Sequence, residues 1–176
     1  MSISKITNDL KDHNNFPPVE KWNPKLCEGQ EFFIDREGNW FYNNSPIKNY
    51  KITNLFSTVL KKELNNYYLV TPVEKVPVRV ELAPYKIIDF KINKKNITLI
   101  TNLNYEFILN KENTTRLINY DDTHIPLVIV RKNIEGFFNR NTYYKLIDLA
   151  LDNNYIKDNL VYITSNNINH TIGRIA

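Results

Sequence analysis

Two stretches of the chain carry the same helical pattern of apolar residues, starting at positions 52 and 143, and this repetition constrains the fold more than any other feature. Apolar residues at positions i, i+3, i+4, i+7 and i+8 are typical of a helix that packs by one face. The two sets are Ile52, Leu55, Phe56, Val59 and Leu60, and Tyr143, Leu146, Ile147, Ala150 and Leu151. We predict one helix over residues 50–63 and another over residues 141–151.

A similar succession follows each predicted helix. A polar, Asn-rich turn leads into a strand that ends at Thr71 in the first stretch and at Thr164 in the second, and a further extended segment comes after each. We interpret the succession as an internal duplication. The alternative is that any helix–strand–strand unit of an α+β protein gives this pattern, and the sequence leaves that alternative open.

The rest of the chain has the pattern of short strands separated by turns rich in Asn, Gly and Pro. The predicted strands span residues 31–34, 40–42, 67–71, 73–81, 85–93, 96–101, 105–109, 115–119, 125–131 and 160–164. Pro77 predicts a strand at a sheet edge, because proline cannot donate to a ladder. The nearly continuous apolar run 125–131 predicts a central, buried strand.

The predicted fold class is therefore α+β, with two related small modules that each combine an antiparallel sheet with a helix. Residues 1–15 form an N-terminal arm with a short helix near residues 3–10. Residues 16–82 form the N-terminal module and residues 83–176 the C-terminal module, with the boundary at Ala83-Pro84.

Composition favours a cytoplasmic protein. The net charge of +4 is dispersed, with its densest spots at Lys61-Lys62, Lys94-Lys95 and Arg131-Lys132, so a nucleic acid is an unlikely partner. Cys27 is the single cysteine, which excludes a disulfide framework and fits a reducing compartment. We see no secretory signal and no apolar run of membrane-spanning length, so we expect no membrane partner.

The sequence favours a protein that is not an enzyme. The four glycines do not form a phosphate-binding loop, and the three histidines are far apart without metal-ligand spacing. We find no nucleophile motif, and Cys27 has no cationic neighbour to activate it. We therefore predict no catalytic residue, no metal ligand and no cofactor.

The segment 40–84 holds the candidate ligand-binding residues. Trp40 and Tyr42 could form the aromatic walls of a pocket that suits a planar ligand, and Thr71, Glu74 and Lys75 could supply its polar groups. The structural alternative makes Trp40 a core residue, places Ser45 in a turn before the helix, and treats Glu74 and Lys75 as an exposed pair. The residues alone favour this alternative.

The same segment resembles a bacterial family catalogued as domain of unknown function 1285. The matching features are Gly-x-Trp-Phe-Tyr, Ser-Pro-Ile, Leu-Phe, Val-Thr-Pro-Val-Glu-Lys-Val and Ala-Pro-aromatic, all within residues 38–85. The runs LITN, PLVIVRKN, YYKLIDLA and VYITSNN extend the resemblance over residues 17–173. Two positions differ from the family pattern: Asn44 replaces the usual Gly, and Leu82 replaces an acidic residue before Ala-Pro.

The resemblance implies a duplicated α+β fold with a C-terminal module similar to pleckstrin-homology domains. It also implies a ligand site in a groove between the modules, a nucleotide-like ligand and a role in signalling. The family positions carried over are Trp40, Ser45, Thr71, Glu74, Lys75 and Arg131. Leu82 removes a charge beside the boundary, which puts a ligand contact there in doubt.

Our leading hypothesis is a small-molecule sensor, in which Lys75 and Arg131 bind a phosphate or carboxylate and Trp40 stacks on the planar part. Tyr42 and Ser45 would complete the site, with Thr71 and Glu74 as hydrogen-bonding groups. The first alternative is a protein-interaction module that binds a peptide in the groove or at a strand edge. The second alternative is a hydrolase without a recognisable motif.

Overall fold

The computed structural model describes residues 16–175, so the arm 1–15 and its predicted helix lie outside the described residues. The chain divides into two compact units, with the division between Leu82 and Ala83. Within residues 16–175, both units are dominated by β-sheet, and each contains one α-helix. The protein thus consists of two similar, mostly β modules with some helix.

The described part of the N-terminal unit, residues 16–82, contains a short 3-10 turn, Val19–Lys21, one helix and six strands. The helix α1 is Tyr50–Thr58. The strands are β1 (Phe32–Ile34), β2 (Trp40–Tyr42), β3 (Ser45–Pro46), β4 (Leu60–Glu63), β5 (Asn66–Val70) and β6 (Lys75–Val80). They form one sheet in the order β3-β2-β1-β6-β5-β4, in which β1 and β6 are parallel and the other neighbours are antiparallel.

The C-terminal unit contains one helix and nine strands. The helix α2 is Arg140–Asp152. The strands are β7 (Tyr85–Asn93), β8 (Asn96–Thr101), β9 (Glu106–Ile108), β10 (Thr115–Tyr120), β11 (Thr123–Arg131), β12 (Ile134–Phe138), β13 (Ile156–Lys157), β14 (Leu160–Ser165) and β15 (Ile168–Arg174). A six-stranded sheet has the order β10-β11-β12-β7-β8-β9, and a three-stranded sheet has the order β13-β14-β15. Helix α2 packs on β7 and β14, and β15 packs on β10 and β11.

The order of elements after each helix is the same in the two units. Helix α1 is followed by the antiparallel series β4, β5 and β6, and helix α2 by the antiparallel series β13, β14 and β15. This repeated helix–strand–strand–strand order agrees with the predicted repeat. The prediction of purely antiparallel sheets was wrong, because β1 pairs in parallel with β6 and β12 with β7.

Helix α1 ends earlier than its apolar pattern predicts. Its last residue is Thr58, and the predicted continuation to residue 63 is strand β4, which pairs with β5 from Leu60 to Glu63. The side chains of Thr53 and Ser57 are buried, whereas Ile52 is 40% exposed. The buried hydroxyls donate to helix carbonyls, so they are not left without acceptors. Pairing with β5 therefore overrides the helical periodicity.

Pro77 does not mark an edge strand, so that prediction was wrong. Strand β6 lies between β1 and β5 in the interior of the sheet. The parallel register with β1 begins only at Val78, and the preceding contact on that side is an isolated bridge between Leu26 and Lys75. Pro77 falls in the gap between these two pairings, where β1 needs no donor from it.

Strand β12 was missing from the predicted elements, although all five of its residues are buried. It contains Gly136, which pairs with Tyr85 of β7. A Cβ at position 136 would lie 3.0 Å from the carbonyl oxygen of Tyr85, so the close approach of the two backbones requires glycine. The predicted buried strand over residues 125–131 is confirmed as β11, which lies inside the sheet between β10 and β12.

No helix in residues 16–175 is both long enough and apolar enough to cross a membrane.

Candidate functional site

The N-terminal sheet has two faces, and its register assigns each candidate residue to one of them. Trp40 and Tyr42 alternate with Phe41 along β2, and Ser45 pairs with Tyr42, so Trp40, Tyr42 and Ser45 share one face. Helix α1 covers part of this face, because the Phe56 ring lies 6.2 Å from the Trp40 ring, between centroids. Trp40 is buried, and its indole Nε1 has no acceptor among the described residues.

Thr71 and Glu74 lie in the turn between β5 and β6. The Thr71 hydroxyl accepts hydrogen bonds from the backbone N–H of Val73, at 3.4 Å, and of Glu74, at 3.1 Å. The Thr71 N–H in turn donates to the Glu74 carbonyl at 2.8 Å. The Thr71 side chain therefore stabilises the turn itself, and the Glu74 side chain is exposed.

Lys75 lies on the face of the sheet opposite Trp40. Pro77, two residues further along β6, pairs with Tyr68, which pairs with Lys61, so these side chains share the Lys75 face. The Lys75 ammonium donates to the Glu63 carboxylate and lies 4.2 Å from the Tyr68 ring centroid. Lys61 contacts the same carboxylate at 3.1 Å.

This cluster of two lysines and one carboxylate is largely enclosed. The side chains of Lys61 and Lys75 are 11% and 14% exposed, and that of Glu63 is 35% exposed. The pKa of Glu63 is lowered, first because Lys75 donates a hydrogen bond to its carboxylate and second because Lys61 does so. The ion pairs give Lys75 a structural role beside whatever ligand contact it makes.

The register thus does not bring the predicted pocket together in the N-terminal unit. Trp40, Tyr42 and Ser45 are on one face of the sheet and Lys75 is on the other. Arg131 belongs to the C-terminal unit, where it is buried and its Nε donates to the Tyr85 hydroxyl at 3.2 Å. Trp40 and Lys75 therefore point away from each other on this sheet, because alternate residues of a strand point to opposite faces.

An open cavity lies at the surface of the C-terminal unit, and its residues Lys94, Lys95, Asn153 and Asn167 are exposed. Its volume is about 430 Å³, within the usual range for small-molecule sites. The tip of the β7–β8 hairpin, the end of α2 with the segment after it, and the β14–β15 hairpin form its walls. We call it the lysine cavity; its lining residues are Ile92, Lys94, Lys95, Ile97, Leu149, Asn153, Tyr155, Thr164 and Asn167.

The lining of the lysine cavity is cationic and polar on an apolar base. Lys94 and Lys95 provide two ammonium groups, and none of the described lining residues is acidic. Lys94 has a φ of 55°, which places it in the tight turn at the hairpin tip. The Asn167 amide can donate and accept hydrogen bonds, and Asn153 Nδ2, which already donates to the Leu149 carbonyl at 2.8 Å, keeps one N–H, so an anionic group would find both charge and hydrogen-bond donors.

An aromatic wall completes the lysine cavity. Tyr155 stacks on Tyr162, with ring centroids 5.4 Å apart and an angle of 19° between the planes. The Tyr162 N–H donates to the Tyr155 carbonyl at 3.0 Å, which fixes the segment after α2 against β14. A tyrosine ring held in this way offers a flat surface to a planar ligand.

Two hydrogen-bond connections hold the hairpins that form the cavity in place. The Ser165 hydroxyl, fully buried, donates to the Leu109 carbonyl at 2.8 Å and accepts from the Ile97 N–H at 2.9 Å. The Asn166 N–H donates to the Lys95 carbonyl at 2.9 Å. These bonds join β14–β15 to β7–β8, so the walls are fixed before a ligand arrives.

The sequence did not predict these cavity residues as ligand contacts, although three of them had been singled out for other reasons. Lys94 and Lys95 stood out as one of three dense basic spots, and Thr164 as the counterpart of Thr71. Their convergence depends on packing of residues 92–97 against residues 149–167, which lie more than 50 residues further along the chain, and no local pattern reports such packing. The basic pair in a hairpin turn was the available signal. Within residues 16–175, no group of three or more His, Cys, Asp or Glu side chains is placed to hold a metal ion.

Comparison with known proteins identifies the family. Residues 17–83 match the model described as domain of unknown function (DUF1285), N-terminal domain, and residues 84–172 match the corresponding C-terminal domain. No curated protein matches the chain. The chain is similar to a DUF1285 family protein from Silicibacter pomeroyi DSS-3, with 31% identity, a TM-score of 0.82, and coverage of 92% of this chain and 90% of that one.

A second solved structure is similar over a shorter part of the chain. It is a DUF1285 family protein from Shewanella baltica OS155, with 26% identity and a TM-score of 0.58. The match covers 69% of this chain and 94% of that one. The chain belongs to the DUF1285 family, because both domain models and the first structure match it.

Proposed function

We propose that this member of the DUF1285 family is a ligand-binding or sensing protein, and that it binds a small planar anion of the nucleotide type in the lysine cavity. The observation that carries the proposal is the pair Lys94 and Lys95 at a cavity of about 430 Å³ whose described lining holds no acidic side chain. The pair favours a ligand with a phosphate or carboxylate group.

The charge of the lysine cavity supports an anion over a neutral ligand. Among the described residues, neither Lys94 nor Lys95 forms a salt bridge, so binding an anion need not break an existing ion pair. Each ammonium has three donors, and together they can bind two oxygens of one phosphate. The hydrogen bonds would be worth more than neutral ones because both partners are charged.

The other lining residues support a planar group attached to that anion. Tyr155 offers a ring face, and the apolar side chains of Ile92 and Leu149 can cover the rest of the ligand. The Asn167 amide can then donate to ring nitrogens, and the Thr164 hydroxyl, which donates to Asn169 Oδ1 at 3.0 Å, can accept from exocyclic amino groups. The combination suits a nucleoside monophosphate better than inorganic phosphate, which would leave the aromatic wall unused.

A thermal-shift screen against nucleotides, dinucleotide second messengers and aromatic carboxylates tests the proposal. A ligand present at a hundred times its Kd stabilises the native state by about 2.7 kcal/mol, which raises Tm by roughly 5–10 °C. The double variant Lys94→Gln/Lys95→Gln should lose at least about tenfold in affinity, since charge-assisted hydrogen bonds contribute roughly 1–3 kcal/mol.

The matched control is Lys111→Gln, which removes one positive charge from an exposed loop of the same unit. It should keep the thermal shift of the unmodified protein. No shift with any compound would contradict the proposal and favour the peptide-binding alternative, which pull-down experiments would then pursue. Turnover of an ester or phosphate substrate would favour the hydrolase alternative.

The proposal also includes a signalling role, a cytoplasmic location and a C-terminal module similar to pleckstrin-homology domains. A signalling role would follow if the ligand is a regulatory nucleotide. A cytoplasmic location is supported by the single cysteine, Cys27, which does not form a disulfide. The likeness of the C-terminal module to pleckstrin-homology domains rests on the sequence resemblance alone. The roles proposed for Trp40, Tyr42, Ser45, Thr71, Glu74, Lys75 and Arg131 as ligand contacts are tested by the same screen with single variants.

A further inference from the structure

A second cavity lies in the N-terminal unit, where two neighbouring strands separate. The ladder between β5 and β6 ends at the pair Tyr67 and Val78. Strand β6 nevertheless continues to Val80 in register with β1, while β5 begins at Asn66 in register with β4. An open cavity of about 380 Å³ lies beside this last pair, and we call it the β5–β6 fork.

Arg79 is the charged residue of the β5–β6 fork. Its guanidinium carbon lies 3.8 Å from the centroid of the Phe33 ring, and Phe33 in turn lies 5.7 Å from Phe41. A guanidinium stacked on an aromatic ring loses freedom of rotation while its N–H donors at the edge stay available. The side chain is 63% exposed, so these donors are accessible to a ligand.

The ion pair that Arg79 forms with Glu31 is weak. Its Nη2 lies 3.9 Å from the carboxylate of Glu31, whose side chain is 55% exposed. An exposed pair at this distance contributes little, and solvent screens it. A ligand anion in bidentate contact would therefore compete successfully with Glu31 for the guanidinium.

The remaining lining of the fork is polar on one side and flat on the other. Asn65 and Asn66 bring amide groups from the β4–β5 turn and the start of β5. Pro77 and Tyr68 pair across the strands and share the face of Arg79, so Pro77 and the face of the Tyr68 ring that the Lys75 ammonium leaves open form a floor there. An oxyanion at Arg79 would have its planar substituent over this floor.

We propose that the β5–β6 fork is a second binding site, for a small planar ligand that carries an oxyanion. Arg79 binds the oxyanion through two N–H donors, Asn65 or Asn66 donates a further hydrogen bond, and Pro77 and Tyr68 contact the ring. The site lies in a different unit from the lysine cavity and does not depend on it. The shared chemistry fits an aromatic carboxylate or an aryl phosphate, and binding measurements separate these two sources.

The test is a ¹H–¹⁵N NMR titration of the full chain with benzoate, phenyl phosphate, inorganic phosphate and the neutral analogue benzamide. We expect the backbone resonances of Asn66, Arg79 and Val80 to shift and saturate with benzoate or phenyl phosphate. The stronger of the two identifies the oxyanion. Benzamide and inorganic phosphate should each bind at least tenfold more weakly, because one lacks the charge and the other the ring.

Three variants make this test specific. Arg79→Gln should weaken binding at least tenfold, and Asn66→Asp should weaken it at least fivefold by placing a carboxylate in the fork. Lys51→Gln removes a charge at an exposed position of α1 in the same unit, and its affinity should be within twofold of that of the unmodified protein. The Lys94→Gln/Lys95→Gln variant should also bind normally at the fork, so failure of one site is distinguishable from failure of the other.

The proposal is overturned if the fork resonances do not respond to either aromatic anion at millimolar concentration. Equal affinity in Arg79→Gln, or equal binding of benzamide, would overturn it as well. Should Arg79→Gln lose the dispersed spectrum of a folded unit, Asn66→Asp decides the result, since its side chain is exposed and its substitution is nearly isosteric.

Discussion

Replacing Ser165 by alanine should loosen the walls of the lysine cavity without altering any lining side chain. The Ser165 hydroxyl is fully buried and joins the Leu109 carbonyl to the Ile97 N–H. Its removal leaves one acceptor and one donor without a partner in a site that water does not reach. Each such group costs about 1–3 kcal/mol, so we expect a loss of about 3 kcal/mol.

Hydrogen exchange measured by mass spectrometry is the suitable assay. Both tryptophans, Trp22 and Trp40, lie in the N-terminal unit, so tryptophan emission does not report on the C-terminal one. A loss of about 3 kcal/mol lowers protection by on the order of 100-fold, since 1.4 kcal/mol corresponds to a factor of ten. The decrease should appear in peptides spanning residues 95–110 and 160–172.

The control for this prediction is Ser45→Ala, at an exposed serine in the N-terminal unit. Its stability should change by less than about 0.5 kcal/mol. If Ser165→Ala leaves protection of residues 95–110 unchanged, the hydroxyl does not join the two hairpins as described, and the argument for preformed walls fails.

The other stability predictions concern charged groups. Glu63→Gln should lower the free energy of unfolding by about 1 kcal/mol at pH 7, a value discounted because the carboxylate is about a third exposed. The pKa of Glu63 is lowered, first by the hydrogen bond from Lys75, so this stability is present above about pH 4.3 and is lost as pH falls through the folded-state pKa; urea titrations should therefore show a smaller difference between the variant and the unmodified protein at pH 3 than at pH 7. Lys75→Ala should lower stability too, because it removes an ion pair and the contact with Tyr68; an unchanged Tm would contradict the structural role. Burial lowers the pKa of His170, so stability is complete above about pH 6.5 and declines below it, and His170→Leu should flatten that slope in thermal unfolding measured from pH 5 to 8.

Much of the C-terminal unit could be predicted from the sequence because local signals agree there. Strands β7 and β8 begin and end at the predicted residues 85–93 and 96–101, since a polar turn separates two clear strand patterns. Helix α2 runs one residue further at each end than its apolar stripe predicts. Strand β12 was not predicted because its short apolar run includes Gly136, which is required only by the close approach of the neighbouring strand β7.

The N-terminal unit was less predictable because tertiary pairing competes with local preference. The apolar spacing through Val59 and Leu60 continues the helical pattern, yet Leu60 pairs with Leu69 of the next strand. Pro77 is unfavourable inside a sheet in general, but here it falls between two pairings on the β1 side. The first outcome depends on the β4–β5 hairpin, and the second on partners about 45 residues away in the sequence.

The sequence could not predict which face of the sheet each candidate ligand residue lies on, or which segments line the cavity. A shift of one residue in a strand moves every side chain to the opposite face, so the segment containing Trp40 and Lys75 could not reveal that they face apart. The lysine cavity combines three segments, near residues 92–97, 149–155 and 164–167. Only the packing of α2 and the β14–β15 hairpin brings them together.

Isothermal titration calorimetry with the four nucleoside monophosphates tests the central claim most directly. The account predicts saturable binding of at least one of them to the full chain, and at least about tenfold weaker binding to Lys94→Gln/Lys95→Gln, with Lys111→Gln unchanged. Equal affinity in the double variant, or no binding of any of the four at millimolar concentration, would contradict the claim that the lysine cavity is a nucleotide-type ligand site.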